Sequence, residues 1–545
     1  MAEKTTHTLL VGGIRLPLDS IEGDVYFKAK KELIRQGLWC ESASCRIFRR
    51  SVDARKKKEI RLVYSVAVTL PLTQGQLTRV VRRECAGVSL LREETVPTPT
   101  GTTPLEGRPL VVGSGPAGLF AALYLAQNGY EPILIERGGS VCEREAAIRR
   151  FSTERTLDPE TNVQFGAGGA GTFSDGKLVT RVGDPLAAFV MDTFVQFGAP
   201  SDIRVQAKPH IGTDLLVGVV QRMLAEIERL GGEVLYHTRL EGLVKRGATV
   251  CCAKTSRGEI PCGAVILATG HSARDTYEML MQAELQMEAK PISCGMRIEH
   301  LQADIDEAMY GTFAGHPALG HAEYQLSHDT KSRGVYTFCM CPGGFVMPAA
   351  SEEGGVCVNG MSYRARDGRN ANSAVLVSVS PADFGGTPAA AIAFQRQIER
   401  AAFAAGGATY AAPIVTVGDF LDGRAEAAPT RIQPTYMGGN ACRVASPDTY
   451  LPAFVTSAMR GAIAAFDRQI RGFAAPDACL TGAETRTSAP LRILRAPETR
   501  VAFGTENLYP AGEGAGYAGG ITSAAIDGLR AAIALCTKWC KGISR

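Results

Sequence analysis

Long hydrophobic runs are missing: among 545 residues there is no stretch of 18 or more uncharged apolar side chains, which argues against a membrane-spanning helix. The N-terminus, Met1-Ala2-Glu3-Lys4-Thr5-Thr6-His7, lacks the apolar core and cleavage site of a secretory leader. A cytoplasmic location is the expectation. Cysteine is sparse: 15 residues, about 3% of the chain, are scattered, with Cys251 and Cys252 adjacent. That is no secreted disulfide framework, so reduced thiols are expected. A CxxC redox pair, finger-like cysteine spacing, internal repeats and long low-complexity tracts are also lacking, and no metal site is expected. What is present is a 45% hydrophobic, 21% charged composition, enough to bury large cores in about three domains.

The net charge of +4 hides an asymmetry, because residues 1–100 carry 18 Lys/Arg against 11 Asp/Glu, a balance of +7 that leaves −3 for the rest. The densest basic stretch, Arg46 to Arg61, leads into the alternating run Leu62–Val68, which predicts a strand. The front end reads as a small α/β unit. Strands are expected near Thr8–Ile14, Ser44–Arg50 and Ile60–Val68, with helices near Asp24–Gln36 and Gln74–Glu84. A split β-α-β, ferredoxin-like sandwich is the expected topology. Residues 95–104 are rich in Pro, Thr and Gly without apolar period, so an extended, solvated linker should follow. Ala- and Gly-rich stretches near 387–412 and 458–466 suggest tightly packed helices.

After the linker, Pro109-Leu110-Val111-Val112 reads as a buried strand, followed by Gly113-Ser114-Gly115-Pro116-Ala117-Gly118 and a helical run from Leu119 to Asn128. Each glycine has a steric task. Gly113 permits a tight turn, Gly115 admits a pyrophosphate to the backbone, and Gly118 lets the helix pack on the strand, with its dipole favouring phosphate. The next strand, Glu131–Ile135, ends at Glu136, 18 residues beyond Gly118, where a carboxylate accepts from ribose hydroxyls and disfavours a 2′-phosphate. These features specify an ADP moiety and do not separate FAD from NAD.

Two later segments favour FAD. Val265-Ile266-Leu267-Ala268-Thr269-Gly270, after a β-rich stretch Glu233–Val250, resembles the second FAD signature of the glutathione-reductase-like superfamily. Asn507 to Ile521, before a helix from Thr522 to about Cys536, resembles that superfamily's last FAD motif. Glu513 stands where that motif usually has Asp against the ribityl chain, and Gly519, Gly520 and Ile521 would bring N–H groups to the flavin N1/O2 edge. A third glycine cluster, Gln164 to Leu178, offers successive N–H groups that could cradle an anion. Within it Lys177 is either a cation beside the flavin or a surface lysine after a glycine turn. The candidate cofactor contacts are Gly113, Ser114, Gly115, Pro116, Ala117, Gly118, Glu136, Arg137, Gly168, Gly169, Gly171, Thr172, Leu240, Thr269, Gly270, Glu513, Gly514, Gly520 and Ile521.

Together with Lys208–Asp214, Ala268–Asp275, Phe338–Gly344, Gly360–Ser362, Arg366–Ala374 and Ser51–Lys57, these motifs resemble a family of FAD-dependent dehydrogenases, the NAD/FAD-utilising dehydrogenases of bacteria and plastids. The resemblance extends over nearly the whole chain. It implies an α/β architecture: a small basic N-terminal domain (1–95), a linker (96–108), a Rossmann-like FAD-binding domain in two parts (109–285 and 495–545) and an inserted α+β substrate domain (286–494). It carries over no substrate. Disulfide reductases of the superfamily have a second strand–GxGxxG–helix unit for NAD(P)H, and none is found here. NADH or NADPH would therefore bind only transiently, and an external electron donor is equally open.

The expected function is an FAD-dependent oxidoreductase passing a hydride through flavin N5 to or from an unknown small molecule. Cys339 and Cys341, at i and i+2 on a strand, should share one face: small core residues, a thiol near the flavin, or metal ligands lacking partners. His271 follows the Thr269-Gly270 turn and is a weaker catalytic candidate with Lys177. His210, His300, His316, His321 and His328 show no ligand spacing and should satisfy structural hydrogen bonds. Competing readings make the basic front end a recruiter of RNA or another macromolecule, or the chain a flavin electron carrier. The first is weakened by few interleaved aromatics for base stacking.

Overall fold

The computed structural model describes residues 4–92, 95–179, 184–330 and 333–541, so Met1–Glu3 of the N-terminal segment read above lie outside the described residues. The fold is mixed α/β. Strand β1 (Lys4–Leu16), helix α1 (Glu22–Arg35), strands β2 (Ser44–Asp53) and β3 (Arg61–Thr73), helix α2 (Gln74–Val81) and strand β4 (Val88–Leu90) build an antiparallel sheet of order β2-β3-β1-β4. Alternate residues of β3, Leu62, Tyr64, Val66, Val68, Leu70 and Leu72, are buried with Val25, Ala29 and Leu33 of α1. Those periods of two and four are the strand and helix repeats that place one face of each element inward. Thr73 and Gln76 form a capping box, which starts α2 directly from the end of β3.

The basic run does not lie wholly on a strand: Lys56, Lys57 and Lys58 sit exposed in the turn between β2 and β3. The β2 edge is joined to the body of the molecule, since Arg50 N–H donates to the Val205 carbonyl (2.6 Å) and Ala207 N–H to the Arg50 carbonyl (2.8 Å).

Strand β5 (Thr103–Pro104) precedes β6 (Pro109–Val112), α3 (Pro116–Gln127), β7 (Ile133–Ile135), α4 (Val141–Glu154), α5 (Leu186–Gln196), α6 (Thr213–Arg229) and β8 (Glu233–Leu235). A three-stranded antiparallel sheet, β9 (Leu240–Arg246), β10 (Thr249–Thr255) and β11 (Gly258–Pro261), comes before β12 (Ala264–Leu267) and α7 (Arg274–Gln282). Strand β7 begins two residues later than expected, because Glu131 has φ 49° and Pro132 follows. A left-handed residue takes the chain out of a regular ladder.

The chain then builds a second large sheet. Its elements are β13 (Met287–Ala289), β14 (Ile292–Leu301), α8 (Gln302–Tyr310), β15 (Ser327–Asp329), β16 (Gly334–Cys341), β17 (Phe345–Pro348), β18 (Val358–Met361), β19 (Asn370–Val379), α9 (Pro388–Ala405), β20 (Ala412–Thr416), α10 (Val417–Leu421), β21 (Cys442–Val444), α11 (Ala453–Asp467), β22 (Cys479–Glu484) and β23 (Leu491–Ile493). Seven of these strands pair in the order β15-β16-β19-β14-β22-β20-β21. The antiparallel pair β13–β23 stands where the chain leaves for this sheet and where it returns. Strand β24 (Leu508–Pro510) then rejoins the first body, giving the parallel order β24-β12-β6-β7-β8, and α12 (Ile521–Lys538) packs against α3. A Cβ on Gly528 of α12 would lie 2.0 Å from the Ala117 carbonyl, so glycine is what lets these helices touch.

The linker is extended but is not free in solvent. Strand β5 pairs with β25 (Trp539–Cys540), and Gly101 N–H donates to the Cys536 carbonyl (2.9 Å). Its backbone groups find partners on the end of α12 as a sheet edge would.

A buried ion network ties the two large sheets together. Arg274 at the start of α7 donates to both oxygens of Glu399 on α9 (2.7 and 2.9 Å), and Arg486, after β22, donates to the same carboxylate (2.8 and 3.0 Å). Burial works against the charge of Glu399, but the two guanidinium groups hold its carboxyl far below the usual range. Its stabilising effect is present above its unfolded value and is lost only as pH falls through the depressed folded one. Glu399→Gln should therefore lower stability by about 3–5 kcal/mol. The loss should be constant between pH 5 and 8 in urea unfolding, and a loss that disappears at pH 5 would contradict the assignment.

Candidate active site

Between the C-terminal ends of the parallel strands and the seven-stranded sheet lies a cavity of about 1230 Å³. Ligands of open α/β sheets bind at that end of the strands. Three turns of the parallel body reach it: Gly113–Ala117 after β6, Glu136–Arg137 after β7, and Thr269–His271 after β12. Glu513 and Gly519–Ile521 arrive with the start of α12, and Leu240 with β9. The opposite wall carries Tyr324, Tyr336, Phe338, Cys339, Glu484 and Arg486 from the second sheet and its connections.

The three glycines of the first turn are required for different reasons. A Cβ on Gly113, whose φ is 97°, would meet the Ala268 carbonyl at 2.5 Å, and one on Gly118 would fall 1.8 Å from the Gly113 carbonyl. Both are demanded by the fold itself. Gly115 has φ −67°, and its nearest neighbour to a Cβ would be Gly169 Cα at an ordinary 3.8 Å. Nothing within the protein requires glycine there, so the space it leaves belongs to the cavity. Gly115 is also the N-cap of α3, with Pro116 at the first helical position, so first-turn N–H groups without intrahelical acceptors stand at the same place. A glycine cradle at a helix N-terminus fits the diphosphate of a dinucleotide.

Glu136 is more committed than expected. Its carboxylate is buried and accepts from Ser114 N–H (3.0 Å), Ser114 Oγ–H (2.7 Å), Gly138 N–H (3.0 Å) and Gly166 N–H (3.0 Å). Ribose hydroxyls would have to share oxygens already engaged by three loops. Arg137 beside it stacks its guanidinium 4.1 Å from the Phe165 ring centroid and pairs with Glu160 and Asp275.

The Gln164–Leu178 segment is a self-bonded flap rather than an open nest. The N–H of Gly166 goes to Glu136, that of Ala167 to the Gly139 carbonyl, that of Gly168 to Ser114 Oγ and that of Gly169 to the Gly166 carbonyl. Those four amides are spent inside the protein, which corrects the expected anion cradle. Gly169 and Gly171 line the cavity, whereas Gly168 and Thr172 face inward against Val220 and each other. A residue without any motif signature organises this flap. Arg144, wholly buried in α4, donates to the carbonyls of Asn162, Val163, Gly166, Ala167 and Gly169 at 2.7–3.3 Å. An arginine in mid-helix ordinarily reads as surface, and nothing in its sequence neighbourhood marks it.

Of the other expected contacts, Ser114, Gly118 and Gly514 support the cavity from behind. Gly514 packs on Gly270, where a Cβ would meet the Gly270 carbonyl at 2.5 Å. The Gly519 N–H is taken by Ser523 Oγ (3.2 Å), which leaves the first turn of α12 as the donor edge there. Glu513 lines the cavity, and burial, partly offset by Lys290, pushes its carboxyl up to about 7.

Lys177 is no surface lysine. It lines the cavity, donates to the Met340 carbonyl and lies 3.9 Å from Asp175; burial opposes its charge, but Glu323 and Asp175 hold it protonated. Arg366 bridges the same two carboxylates at 2.7 and 2.6 Å. His271 also lines the cavity, and burial with Arg486 and Arg274 pushes it down to about 4, so the ring is neutral.

The two strand cysteines do not share a face. Between Phe338 and Cys341 the register of β16 shifts, and Cys339 has φ 46°, so the i, i+2 rule fails at a bulge. Cys339 lines the cavity, while Cys341 is buried behind it. Among the remaining histidines, His300 bonds the Phe473 carbonyl, His316 Asp19 and His321 Asp306, and His328 is half-buried on β15. His210 departs from expectation: its buried Nδ1 has no partner among the described residues.

Comparison with known proteins places these features in context. Residues 108–291 match the pyridine nucleotide-disulphide oxidoreductase model, and residues 291–487 match a model described as FAD-dependent protein, C-terminal domain-like. Among solved structures, the chain is similar to a geranylgeranyl bacteriochlorophyll reductase-like protein from Thermoplasma acidophilum (13% identity, 78% of this chain and 76% of that one, TM-score 0.34). It is also similar to L-proline dehydrogenase from P. horikoshii (11% identity, 79% and 93%, TM-score 0.33). Similarity to thioredoxin reductase from Lactococcus lactis (18% identity, TM-score 0.18) covers 30% of this chain and only 36% of that one. A protein of Clostridium beijerinckii, described as an uncharacterized protein, is 46% identical over 489 residues, 89% of this chain and 91% of its own. The chain belongs to the family of that clostridial protein, and its two family domains make it an FAD-dependent oxidoreductase.

Proposed function

We propose that FAD lies across the cavity with its diphosphate at Gly115 and the α3 N-terminus, its adenosine ribose beside Glu136 and Arg137, and its isoalloxazine between Gly519–Ile521 and the second sheet. The observation that carries this reading is Gly115, a glycine that the fold does not need and that opens onto a helix N-terminus. When bound, FAD supplies two-electron transfer at N5. On this reading the parallel body is a Rossmann-like domain in two parts, and residues 286–494 form an inserted substrate domain. The N-terminal unit is a ferredoxin-like module, whose βαββαβ order and antiparallel sheet support the name.

The protein's own residues hold and surround the flavin. Thr269 and Gly270 support its centre, Glu513 meets the ribityl chain, and the first-turn amides of α12 face the edge where negative charge accumulates on reduction. The substrate is an organic small molecule held against Tyr336 and Phe338, with the Lys177 ammonium available for an anionic group. Among the described residues there is one parallel sheet with a glycine turn, which supports a donor that visits, NADH, NADPH or another carrier, rather than one with its own domain.

Purified protein supplied with FAD should show flavin absorbance, and Gly115→Leu should lose it while folding normally. Gly118→Ala should instead destabilise the fold, because its Cβ cannot fit. FAD retained at normal affinity by Gly115→Leu would refute the diphosphate placement. Anaerobic mixing with NADH and with NADPH then identifies the donor by bleaching.

Glu513 makes a second test. Since its folded value is raised to about 7, ionising it costs the folded state: no cost below its unfolded value near 4.5, full cost above about 7. Stability of the flavin-free protein from this group should fall as pH rises across that window. Glu513→Gln should remove the fall, gaining on the order of 1–3 kcal/mol relative to wild type at pH 8 and little at pH 4.5. Equal gains at both pH values in urea unfolding would contradict it.

A further inference from the structure

We propose that Cys339 and Cys341 form a redox-active dithiol that exchanges two electrons with FAD in the same cavity, giving the site a second redox centre. The proposal rests on the FAD placement above.

The two sulfurs are unequally placed, as a reacting thiol and a resolving thiol would be. Cys339 is half-buried on the cavity wall, and Cys341 is fully buried directly behind it. The bulge in β16 produces this arrangement: at φ 46° Cys339 leaves the ladder, and the Cys341 thiol donates to the Cys339 carbonyl at 3.2 Å. A regular strand would have put both side chains on one face, in step with the ladder and without that contact.

Two cations flank the pair. Arg297, wholly buried on β14, donates to the Cys339 carbonyl (3.2 Å) and approaches Cys341 Sγ (3.8 Å), while its other nitrogens hold Glu484. Lys177 donates to the carbonyl of Met340, between the two cysteines. Asp175, Glu323, Glu484 and Glu513 are the opposing carboxylates around the pair. The neighbouring Cys341 side chain, with Arg297 and Lys177 working against burial, holds the Cys339 thiol below the usual range, while the Cys339 side chain and burial push Cys341 up. The reacting form of the pair is the Cys339 thiolate beside the Cys341 thiol, since the thiolate is the nucleophile. At Cys294 and Cys357 burial outweighs the arginines nearby, Arg333 and Arg486, and pushes the thiols up.

That protonation state balances a complete exchange. The Cys339 thiolate and the Cys341 thiol form an S–S bond, the Cys341 S–H bond breaks, and two electrons and that proton pass to oxidised FAD, which becomes FADH⁻. Reversal returns the electron pair to the disulfide. Cys339 lines the same cavity as Glu513, the residue assigned above to the flavin's ribityl chain.

The test is reductive titration of the FAD-loaded protein with dithionite, without oxygen, after mild oxidation with diamide. Wild type should take up roughly four electrons per flavin, and Cys339→Ser and Cys341→Ser roughly two each, as each two-electron couple adds its own pair. Peptide mass mapping of oxidised wild type should find Cys339 joined to Cys341, and iodoacetamide at pH 7 should label Cys339 ahead of Cys341. Two electrons in wild type, or four in either variant with flavin retained, would overturn the proposal. Loss of flavin from wild type would instead strike the FAD placement, and the mass mapping would still decide: no Cys339–Cys341 link after diamide overturns the dithiol.

Discussion

Glu136 accepts four hydrogen bonds from the turn after β6, from the turn after β7 and from the flap at Gly166, so one buried carboxylate fixes three otherwise unconnected backbone segments. A buried carboxylate is tolerable only when its lone pairs are used, and here backbone and hydroxyl donors use them. Arg144 is its counterpart. It satisfies five flap carbonyls from below, and the opposed donors and acceptors leave the flap few alternative conformations. The glycine turn, the end of β7 and the flap thereby form one rigid cradle around Gly115. Removing either charged group would leave its own buried partners unsatisfied.

This constraint explains which parts of the site were legible in the sequence. Gly113, Gly115 and Gly118 announce themselves because backbone geometry restricts the residue type at fixed spacing, and the strand before them and helix after them follow from short apolar runs. The Thr269-Gly270 turn and the Gly512–Ile521 loop were legible for the same reason. Glu136 was found, but its internal bonds were not, since a ribose contact and a loop clamp demand the same carboxylate. Arg144 was invisible: its partners are carbonyls, which every residue has, so no side-chain pattern records them. The flap failed as an anion nest because a run of glycines states only that the backbone can turn, not where its N–H groups point.

The front end and the second sheet show the same division. Periods of two in β3 and of four in α1 gave the elements of the first sheet, and the capping box at Thr73–Gln76 sharpens where α2 begins. The linker's composition correctly marked an extended segment, yet composition is silent on partners, and α12 lies more than 400 residues downstream of it. In β16 the alternation of side chains was the wrong guide because one left-handed residue resets the register. Such bulges concentrate at functional sites, so the error and the candidate chemistry fall on the same residue, Cys339.

The junction between the two sheets bears on how the site would divide its tasks. Arg274 follows the Thr269-Gly270 turn, Arg486 follows β22 and lines the cavity, and both close on Glu399, so the flavin side and the far wall share one fully compensated charge cluster. Among the described residues its hydrogen bonds and ion pairs do not include Tyr336, Phe338 or Cys339, so that stretch of β16 carries none of the junction's pairing. Arg297 and Lys177 instead donate to the carbonyls of Cys339 and Met340 in β16, each balanced by its own carboxylates. The wall proposed to meet the substrate can therefore carry a bulged backbone and the proposed reactive sulfur without loosening the cradle. Charge pairing is arranged so that the cofactor's position and the reactivity of the wall depend on separate clusters.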